Sequence, residues 1–130
     1  MFDIVEWETD INKPGAQEAN EKYKAKYGYN LTGEAVDAYL AMYVLADALE
    51  RAGSYDPKEI RKALENTNYS GEGLIVGYDA VEFDSTGQNK NASLVMVQIN
   101  DIGDGMERIT VWPKGARRAG YTLVFPMPKK

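Results

Sequence analysis

The chain has 130 residues, 44% of them hydrophobic and 27% charged, with a net charge of −5 and neither cysteine nor histidine. That length corresponds to one ordinary domain, long enough to bury a core. The two absences exclude, within this chain, a disulfide scaffold, a thiolate zinc site, a cysteine nucleophile and every histidine-dependent triad.

The acidic balance speaks against nucleic acid as a partner, because phosphate binding needs a basic surface. Charge is uneven: residues 1–70 hold 8 Lys+Arg against 13 Asp+Glu, and residues 71–130 hold 7 of each. The stretch from Pro113 onward carries Lys114, Arg117, Arg118, Lys129 and Lys130 without an acid, and reads as a solvated tail over 113–130. No apolar run approaches the ~20 residues of a membrane span.

At the start, Phe2 and Ile4, with Trp7 beyond, alternate against Asp3 and Glu6, which predicts a strand over 1–8. The opening has no basic n-region and no apolar h-region, so these residues are not expected to be a signal peptide. A chain that opens inside a strand raises the expectation that Met1 is not the natural start.

Asp10, Asn12, Pro14 and Gly15 mark a loop, and a helix follows over 16–27, with Ala19, Tyr23 and Tyr27 on one face and Gly28 as its stop. Thr32 precedes the strongest helix, over 33–52. Its stripe is Val36, Tyr39, Tyr43, Ala46 and Leu49, but Leu40, Met42, Val44 and Leu45 make it apolar almost all round. Few other elements of so short a chain are available to cover it. Asp56-Pro57-Lys58-Glu59 supplies an N-cap, a proline at the first helical position and an early acid, and Ile60, Ala63 and Leu64 face inward on a helix ending near Asn66.

Beyond Asn68 helical spacing stops. Short β-rich runs appear at 74–76, 80–83, 93–99 and 107–112, the last two forming a hairpin around the loop 100–105.

Two carboxylates facing each other across a sugar would suffice for glycoside chemistry, and Asp79, Glu82 and Asp84 are the tight acidic cluster of the β-region. Asp84 to Asn89 is better explained as a turn, with Asp84 accepting backbone N–H groups and Gly87 at positive φ. The same run lacks the alternating ligands and closing glutamate of a calcium loop. Nine tyrosines are enough to line a cleft, although Tyr23, Tyr27 and Tyr43 sit at helical spacing on apolar faces and read as packing. Tyr39 is the more open case. Asp37 lies near it on an otherwise apolar helix, as a cap, as a surface group, or as a carboxylate that pairs with a ligand ammonium.

The order of segments is the most specific feature. Glu18 to Gly28, Ala38 to Gly53, Ser54 to Leu64, Glu82-Phe83-Asp84 with Gly87-Gln88-Asn89, Val97-Gln98-Ile99, Val111-Trp112-Pro113 and the ending Phe125-Pro126-Met127-Pro128 follow one another along nearly the whole chain. In that order they resemble the periplasmic substrate-binding proteins of ABC transporters for branched-chain amino acids.

The resemblance implies an α/β fold of the type I periplasmic-binding-protein class: two Rossmann-like lobes joined by hinge strands. Such a receptor closes on an amino acid or similar small ligand and presents it to an ABC permease. It implies a binding protein and not an enzyme, with no cofactor and no nucleic acid. The implied location is periplasmic or extracellular, free or as a membrane-anchored lipoprotein. Since such receptors are much longer, 130 residues imply a carboxyl-terminal segment that binds its ligand weakly or not at all. Helix 33–52 would then pack on a sheet outside the chain, and the segment alone is expected to form homo-oligomers.

Tyr39, Trp7 and Asp37 are the residues placed near the cleft or hinge. Where the family often has Tyr-Asp-Ala, this chain has Tyr39-Leu40-Ala41, and Asp37 is not a substitute in the same register. A ligand-sensing regulatory domain of the same fold is the alternative reading. A free-standing enzyme using Asp79, Glu82 or Asp84 on sugars is a third.

Overall fold

Thr32 accepts the Ala35 N–H at 3.3 Å and so starts helix α2 (Gly33–Ala52), which runs until Gly53 turns into the left-handed region. Asp56 accepts the Lys58 N–H at 2.8 Å, and with Pro57 in the first turn it starts α3 (Pro57–Glu65). Helix α1 (Ala16–Tyr27) has no side-chain cap; it ends at Gly28, whose N–H bonds the Lys24 carbonyl, and buries only Ala16. The computed structural model describes residues 1–101 and 105–126. All three helices fall where the caps and spacing predict them.

The strands are β1 (Phe2–Val5), β2 (Asn68–Tyr69), β3 (Val81–Glu82), β4 (Val95–Asp101) and β5 (Met106–Trp112). They form a three-stranded sheet in the order β1-β4-β5 and a two-stranded sheet of β2 and β3. Every pairing among the described residues is antiparallel, with Phe2 opposite Gln98 and Val5 opposite Val95 at one edge. The hairpin of β4 and β5 forms as expected, with Asp101 opposite Met106, while residues 102–104 of its loop lie outside the described residues.

Two expectations are corrected. Residues 74–76 form no strand: the Ile75 N–H turns back to the Gly73 carbonyl at 2.8 Å, and the Ile75 carbonyl accepts from a side chain, so neither group is available to a ladder. Ile75 and Val76 are buried all the same, which explains their apolar character. The segment after Pro113 is also more than a solvated tail. Ala116 is fully buried, the Arg118 N–H bonds the Thr110 carbonyl at 3.0 Å, and the buried Gln98 amide pairs with both backbone groups of Val124, at 3.1 and 3.0 Å. Residues 127–130 of that tail, including part of the Phe125 to Pro128 ending, lie outside the described residues.

The core is built on α2, the loops around it and the strand residues Val81 and Val95. Val36, Leu40, Val44 and Ala48, four apart, form the buried row of α2. They meet Trp7, Ile11, Ala16, Ile75, Val76, Val81 and Val95. The stripe expected one row over is only half-buried at Tyr39, Tyr43 and Leu49, and exposed at Ala46. The remaining apolar side of α2 is uncovered, with Met42 65% and Leu45 38% exposed. Long-range ion pairs and hydrogen bonds fasten the amino-terminal segment to β5: Arg108 pairs with Glu8 at 2.7 Å and Asp3 at 3.1 Å, and Asp10 accepts from the Thr110 backbone and hydroxyl.

Candidate functional site

Tyr39 and Asp37 are two residues apart on α2, so they face opposite sides of the helix's buried row. Each side carries a cavity. Asp37 lines a groove of about 610 Å³ together with Glu6, Leu40, Val44, Val76 and Phe83. Tyr39 lines a cleft of about 850 Å³ between α1, α2 and the loop 70–75. Trp7 lines neither. It is buried in the core, and its indole N–H donates to the Ile75 carbonyl at 2.9 Å. The structure therefore does not bring the three sequence-selected residues into one pocket.

The groove combines an acidic end with apolar walls. Glu6, at the end of β1, lies against the first residue of α2: a β-carbon built on Gly33 would stand 2.7 Å from its Oε2 and 2.9 Å from its Cβ. Gly33 is thus small because Glu6 fills the space a side chain would need. Burial first, then the charges of Glu6 and Glu34, hold the Asp37 carboxyl above its usual range. A cation placed there would relieve that repulsion. Tyr78 borders both cavities, and burial, with the Asp37 charge second, raises its phenol.

On the other side, the Tyr39 and Tyr43 hydroxyls are 3.1 Å apart, with ring centroids at 5.0 Å and planes at 64°. The hydrogen bond to Tyr43, followed by burial, pushes the Tyr39 phenol up to about 12.

The acids of the β-region have structural partners. Asp79 is paired with Lys13, Glu82 with Lys90 at 2.5 Å, and Asp84 accepts from the Thr86 and Gln88 backbones and the Thr86 hydroxyl. The predicted turn is present, with Gly87 at φ 84. Its hydrogen bonds, led by the Thr86 hydroxyl, lower the Asp84 carboxyl. No group of three carboxylates among the described residues is placed to hold a metal ion.

Glu6, Tyr78 and Gly33 were not distinguishable as site residues by spacing. Glu6 reads as the polar side of a strand, and its position at the head of α2 depends on a residue 27 places later. The small residue directly after the Thr32 cap was the available signal.

Three helices together with a small antiparallel sheet make an α/β arrangement. Its backbone is similar to the leucine binding protein LivK of Thermotoga maritima MSB8, with a TM-score of 0.57 and 24% identity over 83% of this chain and 29% of that one. The periplasmic binding protein family matches residues 1–105, and the chain belongs to that family. Members of this family are binding proteins.

Among relatives, a Leu/Ile/Val-binding protein homolog 7 from Brucella suis biovar 1 (strain 1330) is 30% identical over 104 residues, 79% of this chain and 25% of its own length. A Leu/Ile/Val-binding protein homolog 8 from Brucella abortus (strain 2308) is 29% identical over the same extent. The chain spans about a quarter of the length of the curated relatives it matches.

Proposed function

We propose that this chain is the carboxyl-terminal segment of an extracytoplasmic receptor of an ABC importer, which binds an aliphatic amino acid by closure of two lobes and performs no chemistry. The observation that carries this reading is the acid-rimmed apolar groove of α2. An aliphatic amino acid is a cation at one end and a hydrocarbon at the other. Asp37 and Glu6 supply carboxylates for the ammonium, and Leu40, Val44 and Val76 supply the apolar wall. Family membership and the Leu/Ile/Val-binding relatives support the ligand class.

In this reading Trp7 stays in the core, bonded to the Ile75 carbonyl, and Tyr39 faces away from the ligand. The groups for the ligand's carboxylate come from the rest of the receptor, as do the lobe that closes over it and the permease that receives it. The segment alone therefore binds weakly. Calorimetry with leucine, isoleucine and valine tests this on the 130-residue chain and on a receptor that carries both lobes. Tight binding by both lobes together and weak binding by the segment is the expected result. Equally tight binding by the segment alone would overturn the division of the site.

A further inference from the structure

The cleft on the other side of α2 has a different chemistry. It is lined by five tyrosines, 23, 27, 39, 43 and 78, with three lysines and three acids, so its ionic lining is balanced. The charges are largely satisfied in place. Lys13 binds Asp79 and the Tyr78 carbonyl, Lys22 binds Glu18 at 2.6 Å, and the Lys26 ammonium lies 5.2 Å over the Tyr27 ring. Lys26 and Glu72 make no ion pair among the described residues, and as one charge of each sign they give the cleft no net preference for an anionic or a cationic guest.

The floor is preformed. Gly73, at φ +83, presses its backbone on the Tyr43 ring so closely that a β-carbon would stand 2.5 Å from Cδ2. That approach needs glycine on two counts, the left-handed backbone and the space. The loop carrying it is tied down by the Tyr69 hydroxyl, which donates to the Glu72 carbonyl at 2.6 Å. Tyr43 in turn fixes Tyr39, ring against ring and hydroxyl against hydroxyl. On α1, Tyr23 and Tyr27 form the facing aromatic wall, with centroids 4.5 Å apart. A volume near 850 Å³ falls within the range of small-ligand sites, about 300–1,000 Å³.

We infer that this cleft is a second binding site, separate from the amino-acid groove, for a neutral saccharide. Sugar rings present flat C–H faces that suit tyrosine rings. Their hydroxyls both donate and accept, as the paired Tyr39 and Tyr43 phenols do. The hydrogen bond between the two phenols fixes where their hydroxyls meet a guest.

The test is an NMR titration of the isotopically labelled 130-residue chain with glucose, N-acetylglucosamine and cellobiose, with 4-hydroxybenzoate and leucine in parallel. At least one saccharide is expected to give saturable shifts centred on Tyr23, Tyr39, Tyr43 and Gly73. The double variant Tyr39→Phe/Tyr43→Phe keeps the rings and loses both hydroxyls. About tenfold weaker saccharide binding is expected from it, corresponding to about 1.4 kcal/mol for two neutral hydrogen bonds. Arg61→Gln, on the exposed side of α3 and outside the cleft, should leave the affinity unchanged. The inference is overturned by the absence of saccharide shifts at these residues, by shifts there from 4-hydroxybenzoate or leucine but not from saccharides, or by undiminished binding in the double variant. If the double variant does not fold, the single variant Tyr39→Phe and the location of the shifts decide.

Discussion

The indole N–H of Trp7 donates to the carbonyl of Ile75, 68 residues further along the chain, at 2.9 Å inside the core. This bond joins the amino-terminal segment to the run 74–76, whose residues line both cavities of α2. Trp7→Phe keeps most of the apolar volume and leaves that carbonyl without its donor. An unpaired buried carbonyl costs about 1–3 kcal/mol, and urea denaturation followed by circular dichroism is expected to show a loss of that size.

Asp37 makes a prediction with two opposite signs. Its carboxyl is raised in the folded state, chiefly by burial and then by Glu6 and Glu34. The folded state therefore holds the proton more strongly than the unfolded chain. The ionised form weakens folding above the ordinary aspartate value of 3.8, and the penalty disappears as pH falls below it. Asp37→Asn should raise the melting temperature slightly at pH 7, with the gain vanishing at low pH, and should weaken leucine binding. A variant that lost stability and kept affinity would contradict the role given to this carboxylate. Thermal melts across pH, paired with leucine titrations, supply both readings.

Gln98 is fully buried and spans to both backbone groups of Val124. Gln98→Leu removes that clamp. The expected destabilisation is about 0.5–1.5 kcal/mol, since Val124 lies near the surface and water replaces part of what is lost. Trypsin should also cut after Arg117 and Arg118 faster than in the unaltered protein, as read by limited proteolysis and mass spectrometry.

The uncovered side of α2 leads to self-association of the isolated chain. Met42, Leu45 and Leu94 are 65%, 38% and 47% exposed, and Ile4 on the edge strand β1 is 59% exposed. Light scattering is expected to show a mass that rises with concentration, and Leu45→Lys should lower it. A monomer at every concentration would show that this face needs no cover.

The helices were legible because their signals are local. Thr32 at one cap, Asp56-Pro57 at another, and glycines 28 and 53 at two ends each act within a few residues. The hairpin was legible from two apolar runs around one polar loop. What could not be read depends on distant partners. Asn68 and Tyr69 form a strand only because Val81 and Glu82 lie beside them, and two residues carry no period. Ile75 and Val76 have the apolar character of a strand, but their backbone bonds go to Gly73 and Trp7. The expected stripe on α2 lay one row away from the buried row because a helix apolar nearly all round does not indicate which side its partners occupy.

The candidate site divided in the same way. Asp37 and Tyr39 stood out as unusual on an apolar helix, and each lines a cavity. Their two-residue spacing turns them apart on the helix, but which row between them is buried, and the arrival of Glu6 beside Asp37, follow from the tertiary fold.

The most direct measurement of the central claim is an NMR titration of this chain with L-leucine, which detects weak binding. Saturable shifts centred on Glu6, Asp37, Leu40 and Val44, needing a higher leucine concentration in the Asp37→Asn variant, are expected. Shifts confined to the tyrosine cleft, or a leucine response unchanged in the Asp37→Asn variant, would contradict that claim.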